Sequence, residues 1–155
     1  MNNDTFLQDT ADRIAVTDVL YQFAAGIDQC DQGLLASVFT DDAVSDFTKA
    51  AAKAGFEYPA IQGRADIVAA LSGSLGGIDT SHSVSNPRVT LNGETARLEA
   101  LVEAQHLPRS DHSRHYLMKN RYEVDLVKQE GAWLIRRMSI DNIWLTGDPA
   151  VLAAV

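Results

Sequence analysis

The chain has one cysteine, Cys30, in 155 residues, so no intrachain disulfide can form and an oxidising compartment gains no support. It is also short of positive charge. Thirteen Lys and Arg stand against 21 Asp and Glu, giving a net charge of −8 with the bases thinly spread. Nucleic-acid surfaces need a basic stripe to neutralise phosphates, so that class is excluded. No apolar run approaches the ~20 residues that span a bilayer. The opening "MNNDTFLQDTADR" has neither a basic segment nor an apolar one of the kind found in export signals, and the expected location is the cytoplasm, with no membrane partner. Also missing are a glycine-rich phosphate loop, a Ser or Cys nucleophile motif and a paired-carboxylate motif. The segment "DHSRH" offers Asp111, His112 and His115, but three-residue spacing suits a helix. This stretch reads as a loop entering a strand, so no metal site is expected.

What is present is an ordinary globular composition, 46% hydrophobic and 22% charged, with no repeat, linker or low-complexity block. One domain over residues 1–155 is expected, large enough to bury a core around a pocket. The first half is helical in period. "DTADRIAVTDVLYQFAAGID" offers Asp9 or Thr10 as N-cap and sets Ile14, Leu20, Phe23, Ala24 and Ile27 along a broad face. The stretch "QGLLASVF" reads as a second helix, "AVSDF" as a short strand and "TKAAAKAGFEYPAIQ" as a connection. "RADIVAALSGSL" reads as a further helix that stops at glycines.

In the second half the period falls from 3.6 to 2. "TSHSVSNPRVTL" is a strand kinked at Asn86–Pro87. "TARLEALVEAQHL" puts Ala96, Leu98, Ala100, Val102, Ala104 and His106 on one face. "HYLMKNRYEVDLVKQ" does the same with Tyr116, Met118, Asn120, Tyr122, Val124 and Leu126, and "WLIRRMSIDNIWL" closes the meander. Helices followed by long one-faced strands define an α+β fold in which a curved antiparallel sheet wraps the N-terminal helices.

Asp28 poses the chemical question. It ends the first helix on what reads as its apolar side, where the macrodipole opposes a negative charge and burial would penalise it. His82, in phase with Val84 on the first long strand, can point back at the helices. An aspartate accepting from one imidazole nitrogen fixes the tautomer and leaves the other nitrogen as a base. The residues alone favour an aspartate capping a backbone end and a histidine satisfied in the core. His106 is in phase to point inward, or sits at a strand end facing solvent.

The order of elements, with "YQFAAGIDQCDQGLLASVFTDDAV", "GRADI", "TSHSVSNPRVTLNGETARLEA" and "EGAWLIRR", resembles the SnoaL-like branch of the nuclear-transport-factor-2-like superfamily over about residues 9–145. Its nearest functional types are similar to scytalone dehydratase, bile-acid 7α-dehydratase and hexachlorocyclohexane dehydrochlorinase. The resemblance implies a cone-shaped, cystatin-like α+β barrel and a cofactor-independent lyase. In it Asp28 and His82 form a catalytic pair, with His106 as a second polar catalytic residue. It also implies a small apolar, cyclic substrate and a homodimer or homotrimer, to which the apolar tail "DPAVLAAV" contributes by crossing onto a neighbour. The alternatives within this fold are a ketosteroid-isomerase-like enzyme and a non-catalytic binding or accessory subunit, such as a dioxygenase small subunit. One position departs from the pattern: relatives keep Tyr or Lys five residues before the aspartate, where this chain has Phe23. Tyr21, Tyr58, Tyr116 and Asn120 are the candidate substrate-binding donors, and Trp144 is placed at the pocket rim or an oligomer interface.

Overall fold

A computed structural model describes residues 3–153. In chain order it consists of α1 (Asn3–Asp28), α2 (Gln32–Ser37), β1 (Phe39–Asp46), α3 (Thr48–Ala54), β2 (Ile61–Gln62), α4 (Arg64–Leu75), β3 (Ile78–Asn92), β4 (Thr95–Pro108), β5 (Tyr116–Gln129) and β6 (Ala132–Gly147). A 3₁₀ turn, Pro149–Ala153, follows. The six strands form one open sheet in the order β2-β1-β6-β5-β4-β3. Pairing is antiparallel except that β1 runs parallel to β6, so the sheet is mixed, and it curves around the helices without closing.

The curvature has identifiable causes. Register slips occur in β3 between Ser85 and Arg88, and in β6 opposite the Lys119/Asn120 and Asp125/Leu126 steps. Each inserts an extra residue, which bends the strand and increases its twist. The β3 slip falls on the Asn86–Pro87 kink, where Asn86 has φ +53. Between slips the alternation is strict. Every apolar-face residue expected on β4 and β5, His106 and Asn120 included, is buried.

Helix α1 packs Val16, Leu20, Phe23 and Ile27 into the core. Ile14 was expected on this face but is 66% exposed, because a 100° advance per residue carries it roughly 150° around the helix from the middle of that stripe. The helix also starts before Asp9, at Asn3 among the described residues. Asp12 clamps it to the β5–β6 hairpin, accepting from Lys128 Nζ and Trp133 Nε1, both at 2.8 Å. The supposed connection after β1 contains α3 and β2. A seven-residue alanine-rich helix carries too few apolar residues to show a period, and it ends at Gly55 with φ +89.

The open edge at β3 is met by α1. Arg13 Nη1 donates to the Val89 carbonyl, and Asp28 accepts the His82 N–H. The tail also folds onto its own chain: Val151 is fully buried and Leu152 packs against the core. Residues 154 and 155 of that tail lie outside the described residues, as do residues 1 and 2. Among the described residues no helix is long and apolar enough to cross a membrane.

Candidate active site

Helix α1 stops where Cys30 turns left-handed, at φ +54, and Asp31 at once caps α2 by accepting from the Leu34 N–H at 2.9 Å. This tight junction depends on Gly26, since a Cβ there would stand 2.9 Å from Leu35 Cγ and 3.1 Å from the Leu35 backbone nitrogen. Asp28, one residue beyond Ile27, is turned about 100° from the core stripe. It therefore lies on the flank of the helix that faces β3 and not on the apolar side.

Its carboxylate is held three times. Oδ2 accepts the His82 backbone N–H at 2.8 Å; Oδ1 accepts from Thr80 Oγ1 at 2.8 Å and from His82 Nδ1 at 2.7 Å. Because β3 is an edge strand, that N–H has no neighbouring strand to receive it, and an aspartate is what fills the vacancy. Burial pushes the Asp28 carboxyl up, but the hydrogen bonds from His82 and Thr80 outweigh it and hold the group below the usual carboxylate range. An ionised carboxylate only accepts, so Nδ1 carries a proton, and in the neutral imidazole Nε2 is the nitrogen with the free lone pair. The His82 side chain is nearly buried.

His82 lines a chamber of about 450 Å³ between the sheet and the helices. Phe23, Phe47, Phe56, Tyr58 and Tyr122 supply aromatic walls, and Leu152 of the C-terminal turn closes one side. No Asp, Glu, Lys or Arg lines it among the described residues. His106 faces it from β4, its ring 5.9 Å from that of His82 and nearly perpendicular. His106 Nδ1 lies 3.0 Å from the Tyr116 carbonyl oxygen, which can only accept, so this nitrogen too is the N–H and Nε2 is bare. Burial, and then the neighbouring His82, lower the His106 pKa to about 4. In that neutral form it faces the chamber as a hydrogen-bond acceptor.

Of the remaining expected residues, Phe23, Tyr58 and Asn120 line the chamber. Phe23 stacks edge-on against Phe39 and Tyr122, and Tyr58 against Phe47. Tyr116 is wholly buried beside His106, 5.8 Å between rings, and serves the site through its backbone carbonyl. One placement is corrected, and for Trp144 the pocket-rim alternative falls away. Tyr21 is 45% exposed, outside the chamber on a groove shared with Arg13, Pro87 and Val89; like Ile14, seven residues earlier, it points away from the core. Trp144 is also 45% exposed. The extra residue Ile143 in β6 reverses the alternation after Asn142, so Trp144 pairs with outward-facing Lys119.

Three residues were missed as site residues. Thr80 sits two residues before His82, on the same side of the strand, and bonds the same carboxylate oxygen. Tyr122, legible from its phase, lines the chamber, and burial together with the Asp28 charge pushes its hydroxyl pKa up, so it stays protonated. Asn142, buried on β6, donates to Asn120.

The architecture is thus an α+β cone around a chamber without charged walls among the described residues, with a carboxylate-held imidazole on one wall. A SnoaL-like domain model matches residues 8–139, and the chain belongs to that family. Solved structures agree in fold. The Kfla4162 protein of Kribbella flavida aligns with TM-score 0.84 and 21% identity over 94% of this chain and 99% of its own. A candidate scytalone dehydratase of Novosphingobium aromaticivorans aligns with TM-score 0.77 and 20% identity, over 94% and 91%. The hexachlorocyclohexane dehydrochlorinase LinA-type3 of Novosphingobium barchaimii aligns with TM-score 0.75 and 19% identity, over 91% and 92%. No protein of curated function matches the chain in sequence.

Proposed function

We propose that the protein is a cofactor-independent lyase, a dehydratase or dehydrohalogenase, acting on a neutral, apolar, cyclic substrate. The observation that carries this reading is the 2.7 Å bond from His82 Nδ1 to Asp28, with the imidazole on the wall of an uncharged chamber. The similarity in fold to a dehydrochlorinase and a candidate scytalone dehydratase supports it.

His82 Nε2 takes a proton from a substrate carbon, and the electron pair of that C–H bond becomes the new C=C as the leaving group departs. Asp28 orients the ring and stabilises the imidazolium. A departing halide needs no proton. A departing hydroxyl needs one, and the imidazolium just formed is the acid that supplies it. Asn120 and Tyr122 are the hydrogen-bond donors for an adjacent carbonyl or the leaving group, on the β5 wall that the alternation of β4 and β5 turns inward. They take the part that Phe23 cannot play. Substrates bearing phosphate or carboxylate are disfavoured because no Lys or Arg among the described residues lines the chamber to meet them.

Screening hydroxylated ring ketones and chlorinated rings in D₂O tests the proposal, reading elimination and deuterium uptake. His82→Ala and Asp28→Asn are each expected to keep the folded circular-dichroism spectrum and lower the rate about 10²- to 10⁴-fold. Full activity in either variant refutes the assigned roles. Binding without turnover by the wild type across the screen favours the accessory-protein alternative.

A further inference from the structure

The chamber wall on β5 has a polarity that the backbone of β6 dictates. Asn142 Nδ2 lies 2.9 Å from the Trp144 carbonyl oxygen and 3.3 Å from that of Lys119. Carbonyl oxygens only accept, so the nitrogen end of the Asn142 amide must face them. The same nitrogen lies 2.9 Å from the Asn120 side chain, and the Asn120 atom that receives it has to be the oxygen. Asn120 is therefore left with its NH₂ group for the chamber, which it lines. The β6 backbone at this point is itself fastened from α3, where Lys53 Nζ donates to the Asn142 carbonyl at 2.7 Å and pairs with Asp141 at 2.7 Å. Across the chamber, His82 and His106 present bare nitrogens. The space thus has acceptors on β3 and β4 and a donor on β5.

We propose that Asn142 is a positioning residue that locks Asn120 as a donor, and so selects substrates carrying a hydrogen-bond acceptor, a ring or conjugated ketone, against the β5 wall. The inference rests on the chamber being the binding site of the proposed function. It does not depend on the Asp28–His82 chemistry. Without Asn142 the Asn120 amide is free to turn its oxygen inward, and the chamber then loses its preference for a carbonyl.

The test uses 2-acetylnaphthalene, a neutral ketone, labelled with ¹³C at the carbonyl, and naphthalene as the ligand of similar shape without an acceptor. In the wild type the bound carbonyl stretch is expected to shift to lower frequency than in an alkane solvent, and Asn120→Ala should remove most of the shift, leaving only what Tyr122 supplies. Asn142→Leu keeps Asn120 and the approximate volume, yet is expected to lose most of the shift. Ketone affinity should fall about fivefold to tenfold, the loss of one hydrogen bond, with naphthalene affinity within about twofold. Asn142→Asp, which can donate only when protonated, is expected to recover the shift on acidification; this second variant serves if the leucine variant does not fold. An unshifted band in the wild type overturns the proposal. So does a band and a ketone-to-naphthalene affinity ratio unchanged in Asn142→Leu, or a pH-independent band in Asn142→Asp. A shifted band with no elimination activity on any screened substrate would sink the lyase reading and leave this one standing.

Discussion

Replacing His106 with asparagine should remove much of the acid sensitivity of the fold. The imidazole is 5% exposed, and its Nδ1–H is committed to the Tyr116 carbonyl. Burial, and after it the nearby His82, bring its pKa from 6.5 down to about 4. In the unfolded chain the same group titrates near 6.5. Between those values the unfolded state binds a proton that the folded state refuses, so stability rises with pH through this window. The contribution is complete above about pH 6.5 and is lost as pH falls toward 4. The shift is about 2.5 units, and at 1.36 kcal/mol per unit the loss comes to roughly 3 kcal/mol, a large part of a typical domain's ~5–15 kcal/mol. Asparagine places an amide N–H close to where Nδ1 sits, so the bond to Tyr116 survives while the titration disappears. Urea denaturation at half-unit steps from pH 8 to pH 4 measures the difference. His106→Asn is expected to be less stable at pH 8, because a ring has become a smaller group, and to show a flatter slope below pH 6.5. Parallel slopes for the two proteins would refute the claim that His106 is buried neutral, and with it the assignment of a bare Nε2.

Two further outcomes follow from packing. Gly147→Ala should destabilise by more than about 2 kcal/mol, because Gly147 has φ +95 and an added Cβ would lie 2.2 Å from the His115 carbonyl oxygen; thermal unfolding checks it, and proteolysis should cut first near residues 147–153. Trp133→Phe removes the indole N–H that Asp12 accepts and should cost about 1.5–3 kcal/mol by denaturant unfolding. Hydrogen exchange in the variant should quicken in the first half of α1, leaving the chamber strands protected.

How much of this was legible in the chain depended on where period and packing coincide. β4 and β5 have one buried face, and their alternation named His106, Asn120 and Tyr122 as inward residues before any contact was known. β6 could not be read that way. Its two extra residues reverse the phase twice, which turns Trp144 outward beside Lys119 and left Asn142 unread as an inward residue. In α1, apolar residues stand all round the helix, and period alone could not reject Ile14 or Tyr21. The likeness to the SnoaL-like branch suggested the Asp28–His82 contact, but its local reason needs the topology. Only with β3 at the sheet edge is there a spare N–H for the carboxylate to meet. The tautomer of His106 was also out of reach, since it follows from which atom of Tyr116 lies 3.0 Å away.

The stitching of that edge by α1 has a consequence for solubility. A bare strand edge is a template on which another chain can add a strand, and such edges drive aggregation unless they are blocked. Here the blocking is done by two side chains, Arg13 at the Val89 carbonyl and Asp28 at the His82 N–H. One carboxylate therefore answers to two pressures. A lineage that gave up the chemistry of the chamber would still be under selection to keep an acceptor at position 28, so an aspartate retained there is weak evidence of activity unless an imidazole is retained with it.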